Sequence, residues 1–312
     1  MKKIYFIDTV HSILEEKLSE AGYTCIDLTK EKTENISRLV YDAYGLVIRS
    51  RISLNREFLK KINGLRFIAR SGSGLENIDL EHCKKNKISV YNSPEGNKDA
   101  VAEHCLGMLI ALMNNFKSAQ KELSNGLWNR EKNRGSELSK QRVAIIGYGN
   151  NGSAFAQRLY SLGAQVLVYD KYKSEFSSEG IKECSLEEIF LSATAVSFHV
   201  PLTNETNQMA DYQFFKRFLN PVYVLNISRG RVLNTQALIN ALKEGVVLGA
   251  GLDVLEEEST NFNIEEANKK IIELSQEPNV ILTPHVAGWT KESYYKLSLV
   301  LAQKVLKTKT LI

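Results

Sequence analysis

QRVAIIGYGNNGSAFAQRLYSLGAQVLVYD, residues 141–170, begins with an apolar run, Val143–Ile146, that stops at a glycine. The next residues, Gly147-Tyr148-Gly149-Asn150-Asn151-Gly152, carry glycines at a G-x-G-x-x-G spacing. Apolar side chains then recur at helical intervals (Ala154, Phe155, Leu159, Leu162) up to Gly163. A second apolar run, Val166–Tyr169, ends on Asp170. Strand, glycine turn, helix, strand and acid, in that order, are the layout of a dinucleotide-binding βαβ unit.

Each residue type has a physical reason. Gly147 permits the tight turn out of the strand, Gly149 lets a pyrophosphate approach the backbone, and Gly152 lets the helix lie close to the sheet. The helix then presents unpaired N–H groups and its positive end to the phosphates. Asp170 stands roughly twenty residues beyond the glycines, where a carboxylate binds ribose hydroxyls and repels a 2′-phosphate. NAD is therefore expected rather than NADP.

On the N-terminal side, short apolar runs alternate with helical patterns. Strands are expected at Ile4–Ile7, Tyr23–Ile26, Leu46–Ile48, Phe67–Ala69 and Ile88–Tyr91, with helices at Ser12–Ala21, Asn35–Tyr41, Asn55–Ile62 and Asp79–Lys85. Continuous apolar runs are the mark of buried parallel strands, whose carboxyl ends bind ligands. Here those ends carry Arg49-Ser50-Arg51, the Arg70–Gly74 turn (RSGSG) and Asn92–Asn97 (NSPEGN). Successive N–H groups in a glycine turn form an anion-binding concavity, and Arg49 and Arg70 would add charge. Taken singly, Arg49 and Arg51 read as solvated loop residues. Lys98–Leu123 reads as one long helix, followed by a polar loop, Asn125–Glu137, with Trp128, Arg130, Lys132 and Arg134.

On the C-terminal side the alternation continues. Strands are expected at Ala195–Phe198, Tyr223–Asn226, Leu248–Leu252 and Val280–Leu282, and helices at Ser185–Leu191, Asp211–Phe218, Thr235–Glu244 and Ile264–Leu274. A last helix, Thr290–Lys307, is expected to return to the first domain.

Composition bounds the function. The 312 residues suffice for about two domains. A net charge of +4, from 40 basic and 36 acidic residues, is too balanced for a nucleic-acid partner and suits a small anionic substrate. Cys25, Cys83, Cys105 and Cys184 are scattered, which points to reduced core thiols in a cytoplasmic protein and not to a disulfide or zinc framework. The opening run, Ile4–Ile7, is too short for a signal peptide and reads as a buried strand. The most apolar helical stretch, Val101–Met113, contains Glu103 and His104, so no membrane span is expected.

Oxidation of a secondary alcohol with NAD needs a base for the hydroxyl proton. His285 suits that role, Glu258 could hold its ring, and Arg229 could grip an α-carboxylate and polarise the carbonyl. Each has a structural alternative: a packed histidine, a solvated acidic run (Glu256-Glu257-Glu258) and a solvated arginine.

GYGNNG with Asp170, HVPLTNET (199–206), NISRG (226–230), GLDVLEEE (251–258) and TPHVAGWT (283–290) together resemble the D-isomer-specific 2-hydroxyacid dehydrogenases. That resemblance spans nearly the whole chain. It implies an α/β protein of two open parallel-sheet domains. A Rossmann NAD-binding domain (98–285) would be inserted in a flavodoxin-like substrate-binding domain (1–97 and 286–312). It implies catalytic roles for Arg229, Glu258 and His285, with Glu256 and Glu257 left as alternatives because Ser259 stands where the family has proline. Besides Gly147, Gly149 and Gly152, it implies nucleotide contacts at Asn150, Asn151, Asp170, Val200, Pro201, Thr206, Ile227, Asp253 and Gly288.

LVIRSR (46–51), ARSGSGLENIDL (69–80), NSPEGN (92–97) and GLWNREKNRGSEL (126–138) resemble the branch of the family that oxidises 3-phosphoglycerate. This places Arg49, Ser50, Arg70, Ser73, Gly74 and Asn97 around the substrate. It also makes Trp128–Arg134 a loop that reaches a neighbour's site in a homodimer. The sequence ends at Ile312, before the regulatory domain that some members of the branch carry, so feedback through such a domain is not expected. Other 2-hydroxy acid reactions (glyoxylate or hydroxypyruvate reduction, D-lactate oxidation) and a non-catalytic NAD-sensing corepressor stay open as alternatives.

Overall fold

Five apolar runs near the N-terminus become strands β1 (Lys3–Phe6), β2 (Thr24–Asp27), β3 (Gly45–Ile48), β4 (Phe67–Arg70) and β5 (Ser89–Asn92). They pair in parallel in the order β2-β1-β3-β4-β5. This is the doubly wound, flavodoxin-like order. Successive residues point to opposite faces, and both faces are buried. Tyr5, Ile7, Leu46, Ile48 and Ile68 pack on one side with Ile36, Val40, Leu59 and Cys83. Ile4, Phe6, Val47, Phe67 and Ala69 pack on the other with Leu14, Leu18, Leu301, Ala302 and Val305. The last three belong to the helix Lys291–Lys309, which completes this sheet. The computed structural model describes residues 2–256, 258 and 268–309.

Seven further strands form a second parallel sheet: β6 (Arg142–Ile146), β7 (Gln165–Tyr169), β8 (Ile181–Glu183), β9 (Ala195–Phe198), β10 (Val222–Asn226), β11 (Val247–Leu252) and β12 (Val280–Leu282). Their order is β12-β11-β10-β9-β6-β7-β8, so the chain reverses direction between β6 and β9. Such a reversal is where open α/β sheets bind ligands. Ala144, Ile146, Val196 and Phe198 face a core of Phe190, Phe214, Phe215 and Phe218. Val143, Ile145, Val166 and Val168 face the helices Lys98–Met113 and Asn150–Ser161.

The chain thus divides into one unit of Met1–Asn97 with Trp289–Ile312 and another of Lys98–Gly288. The return crossing falls after Gly288, not at residue 286 as expected. The expected helix Lys98–Leu123 is two helices, Lys98–Met113 and Phe116–Ser124, broken where Asn115 takes a left-handed φ of 54°. Asparagine tolerates that conformation better than most residues. β8 was not expected: it has three residues, and only Ile181 is buried. The helix expected at Ile264–Leu274 is described as Asn268–Gln276, and residues 259–267 lie outside the described residues. Among the described residues no helix is long and apolar enough to cross a membrane. The four cysteines are free, and Cys83, Cys105 and Cys184 are buried.

Candidate active site

β6 runs into the glycine turn. Gly147 has a φ of 99°, and a Cβ there would lie 2.7 Å from the His199 carbonyl oxygen. A Cβ on Gly152 would lie 2.0 Å from the Gly147 carbonyl, so only glycine lets the helix start this close to the strand. A Cβ on Gly149 would meet nothing within 4 Å. The turn is therefore tight on the protein side and open on the other, at the N-terminus of Asn150–Ser161, which fits a pyrophosphate. The Asn151 side-chain oxygen is buried beside this turn with no protein donor among the described residues. A ligand hydroxyl could supply one.

Asp170 closes β7 and does more than the motif suggests. One carboxylate oxygen accepts the Tyr148 N–H at 2.7 Å, and the other accepts Tyr172 N–H at 2.9 Å and Lys173 N–H at 3.1 Å. It knits the end of β7 to the glycine turn. Past β9, Val200 is half-buried and Pro201 exposed. The Thr206 hydroxyl donates to the Pro201 carbonyl at 2.6 Å, which folds 201–206 into a local turn. His199, not assigned from sequence, lies 2.8 Å through Nε2 from the Ser197 hydroxyl. Desolvation pushes its pKa down to about 3, so it is neutral at physiological pH.

The ends of β10, β11 and β12 build the rest of the site in this unit. Ile227 is buried after β10. The buried Asn226 accepts Ser228 N–H at 3.2 Å and donates to the Arg229 carbonyl at 3.0 Å, which fixes the turn carrying Arg229. The Arg229 guanidinium donates to the Ser228 carbonyl at 2.6 Å. Asp253, directly after β11, is 2 % exposed. Its carboxylate accepts the Thr283 hydroxyl at 2.5 Å and the N–H groups of Val286 and Ala287, each at 2.8 Å. Its carbonyl accepts His285 N–H at 2.8 Å. Asp253 therefore holds the segment that presents His285 and leads to Gly288. One of its oxygens, Oδ2, takes a single donor among the described residues, the Ala287 N–H, and so keeps room for a further one.

His285 has a φ of 54°, an uncommon conformation for a non-glycine residue. Its Nδ1 lies 2.5 Å from Glu258 Oε1. Glu256 is engaged elsewhere: it accepts from the Gln208 amide at 2.6 Å and from Thr235 N–H at 2.9 Å, at the start of the helix Thr235–Lys243. Among the described acids of this run, Glu258 is thus the one beside the imidazole. Glu257 lies outside the described residues.

In the other unit the two neighbouring arginines part company. Arg51 donates to the carbonyls of Ile7 and Thr29 at 2.9 Å and also to that of Glu31, so it ties strand ends together. The Arg49 guanidinium stacks 3.9 Å over the Trp289 ring. Burial pulls its pKa down, and Asp8 pulls it back. Arg70 folds back over Gly72, where a Cβ would meet its guanidinium. Ser71 N–H and Gly72 N–H donate to the Ile48 carbonyl and the Ser93 hydroxyl, at 2.8 and 3.3 Å. The anion-binding capacity expected of the RSGSG turn is thereby narrowed to Ser73 and Gly74. The Ser73 hydroxyl donates to the Asn97 side chain at 3.1 Å, and Ser50 and Gly74 are half-buried.

Trp128 is 78 % exposed. Lys132 pairs with Glu122 and Arg134 with Glu131, both at 2.6 Å, so two of that loop's bases have partners nearby.

Residues 106–287 match the family described as D-isomer specific 2-hydroxyacid dehydrogenase, NAD binding domain. The chain belongs to this family. A hydroxypyruvate reductase of Thermotoga maritima is 29% identical over 90% of this chain and 90% of its own length. A D-3-phosphoglycerate dehydrogenase of Haemophilus influenzae is 32% identical over 98% of this chain and 74% of its own. Among solved structures, the D-lactate dehydrogenase from Aquifex aeolicus complexed with NAD and lactic acid aligns with a TM-score of 0.84 at 27% identity, over 99% of this chain and 96% of that one. The chain spans about half the length of other curated phosphoglycerate dehydrogenases that it matches, 56% and 47% in two cases. In this D-2-hydroxyacid dehydrogenase the seven-stranded unit is the NAD-binding Rossmann domain. Sequence patterns missed the supporting roles of Asp253, Asn226 and His199. The one local signal was an acid placed directly after the apolar run of β11.

Proposed function

We propose that this chain oxidises D-3-phosphoglycerate to 3-phosphohydroxypyruvate with NAD. The observation that carries the chemistry is the short contact between His285 Nδ1 and Glu258. With Nδ1–H donated to the carboxylate, Nε2 is the nitrogen that accepts the substrate's hydroxyl proton. Glu258 holds the ring in that tautomer and faces the positive charge that develops on it. Arg229, on a turn made rigid by Asn226, binds the α-carboxylate and polarises the nascent carbonyl. NAD, when bound, supplies the acceptor for the hydride leaving carbon 2. The glycine turn, Asn150, Asn151 and Asp170 would hold it.

The substrate assignment is supported by the strand-end cations Arg49 and Arg70, with Ser73 and Asn97 beside them, and by the Haemophilus influenzae relative. The first unit is proposed as the substrate-binding domain. A second reading, hydroxypyruvate reduction, is favoured by the Thermotoga maritima relative, because the two chains match along almost their full lengths. A homodimer is proposed on the strength of the exposed Phe116, Leu123, Leu127 and Trp128. Free cysteines support a cytoplasmic location.

The test is NADH formation from a panel of 2-hydroxy acids, with NAD and NADP side by side. The proposal expects the highest kcat/KM with 3-phosphoglycerate. Higher values for unphosphorylated acids would refute the substrate. His285→Ala should lower kcat by about two orders of magnitude or more, and near-normal turnover would remove the mechanism.

A further inference from the structure

β7 ends in the run Asp170-Lys171-Tyr172-Lys173, which sets two lysines beside one carboxylate. A carboxylate at this point repels a ribose 2′-phosphate, whereas a cation next to it attracts one. The charges of the run alone therefore do not select NAD over NADP. In the structure both ammonium groups are turned to acceptors of the same Lys98–Gly288 unit. Lys173 Nζ donates to the Tyr148 carbonyl of the glycine turn at 2.7 Å. Lys171 Nζ lies 2.7 Å from Glu205 Oε1, and the Tyr172 hydroxyl donates to Glu205 Oε2 at 2.8 Å. Each oxygen of Glu205 thus takes a donor from this run.

Glu205 belongs to the turn that follows β9, and its backbone is fixed there. Thr203 N–H donates to the Thr206 hydroxyl at 2.8 Å, Thr206 N–H donates to the Thr203 hydroxyl at 3.3 Å, and Asn207 N–H donates to the Thr203 carbonyl at 2.9 Å. The lysine and tyrosine donors hold the Glu205 carboxyl below the usual carboxylate range, so it is charged at neutral pH. The Lys171 and Glu205 side chains are both more than half exposed, and an ion pair of that kind adds little to stability. Its effect is on the local charge: Asp170 and Glu205 offset Lys171 and Lys173. Without Glu205 the end of β7 would carry one positive charge in excess.

We propose that Glu205 is a specificity-determining residue for the coenzyme. It holds the Lys171 ammonium and cancels its charge, and so denies a 2′-phosphate the cation that stands next to Asp170 in the chain. The proposal rests on reading Asp170 as the acid that meets the adenosine ribose.

The test is the Kd of the full chain for NADH and for NADPH, by fluorescence titration without substrate. Glu205→Gln keeps the size of the side chain and removes its charge, at an exposed position where the fold does not depend on it. It should tighten NADPH by about 3- to 30-fold, the size of one unit charge acting on a phosphate at close range in water, and leave NADH unchanged. The gain should shrink as salt is added. Adding Lys171→Gln to Glu205→Gln restores the original net charge and should cancel the gain. Unaltered NADPH affinity, an equal change for both coenzymes, or a gain that persists in the double variant would overturn the assignment. Asp170→Ala, titrated alongside, separates the two readings. If it leaves both affinities at their wild-type values while Glu205→Gln favours NADPH, the ribose acid is misread and Glu205 keeps its role. If it narrows the preference and Glu205→Gln does not, the role of Glu205 alone falls.

Discussion

Replacing His199 by glutamine should flatten the acid limb of the stability curve. His199 follows β9, and its carbonyl lies against Gly147. Desolvation lowers its folded-state pKa from 6.5 to about 3. The unfolded chain therefore binds more protons between those two values. A depressed histidine stabilises the fold fully above the unfolded pKa and progressively less as pH falls below it. From pH 7 to pH 5, linkage gives a loss of about 2 kcal/mol. Part of His199 still reaches solvent, and screening there reduces this to about 1–2 kcal/mol. Glutamine places an amide near the Ser197 hydroxyl but does not titrate. Urea unfolding at pH 7, 6 and 5 should show wild type losing that amount more than His199→Gln, whatever their offset at pH 7. Parallel curves would mean that His199 accepts its proton in the folded state and that its surroundings do not disfavour the charge.

Three other outcomes follow from the same geometry. Asp253→Asn replaces one of the two acceptor oxygens by a donor that faces a backbone N–H of Val286 or Ala287 and should cost about 2–4 kcal/mol, with kcat reduced; unchanged urea midpoint and kcat would refute its role in holding His285. Gly152→Ala pushes a methyl onto the Gly147 carbonyl, so NADH fluorescence titration should show affinity reduced about tenfold or more, and wild-type affinity would show that the turn relaxes freely. Asp170→Ala should raise KM for NAD and narrow the preference over NADP by about tenfold; an unaltered ratio would limit Asp170 to joining β7 to the glycine turn.

The parts of this protein that depend on neighbours in sequence were legible there. Continuous apolar runs marked most of the parallel strands, and the glycine spacing marked the turn whose crowding around Gly152 is seen directly. Two local details escaped. Asn115 breaks a helix through its own backbone conformation, and β8 carries too little apolar character to register. The site was harder for a different reason. That Glu258 and not Glu256 meets His285, and that Arg51 closes strand ends while Arg49 stacks on Trp289, depends on which side chains converge across large separations in the chain. Asp253 and Val286 are joined only because β11 and β12 end side by side. No local pattern encodes that choice, although the acid and the histidine each stood out as residue types.

The helix Lys291–Lys309 has a consequence for biogenesis. Leu301, Ala302 and Val305 cover one face of a sheet whose strands are synthesised before the Rossmann domain. On the ribosome those strands must wait, with Ile4, Phe6, Val47 and Phe67 uncovered, while the whole Rossmann domain is made and can fold as an uninterrupted segment. This sheet face is therefore open to aggregation and to chaperone capture until the helix Lys291–Lys309 emerges and covers it.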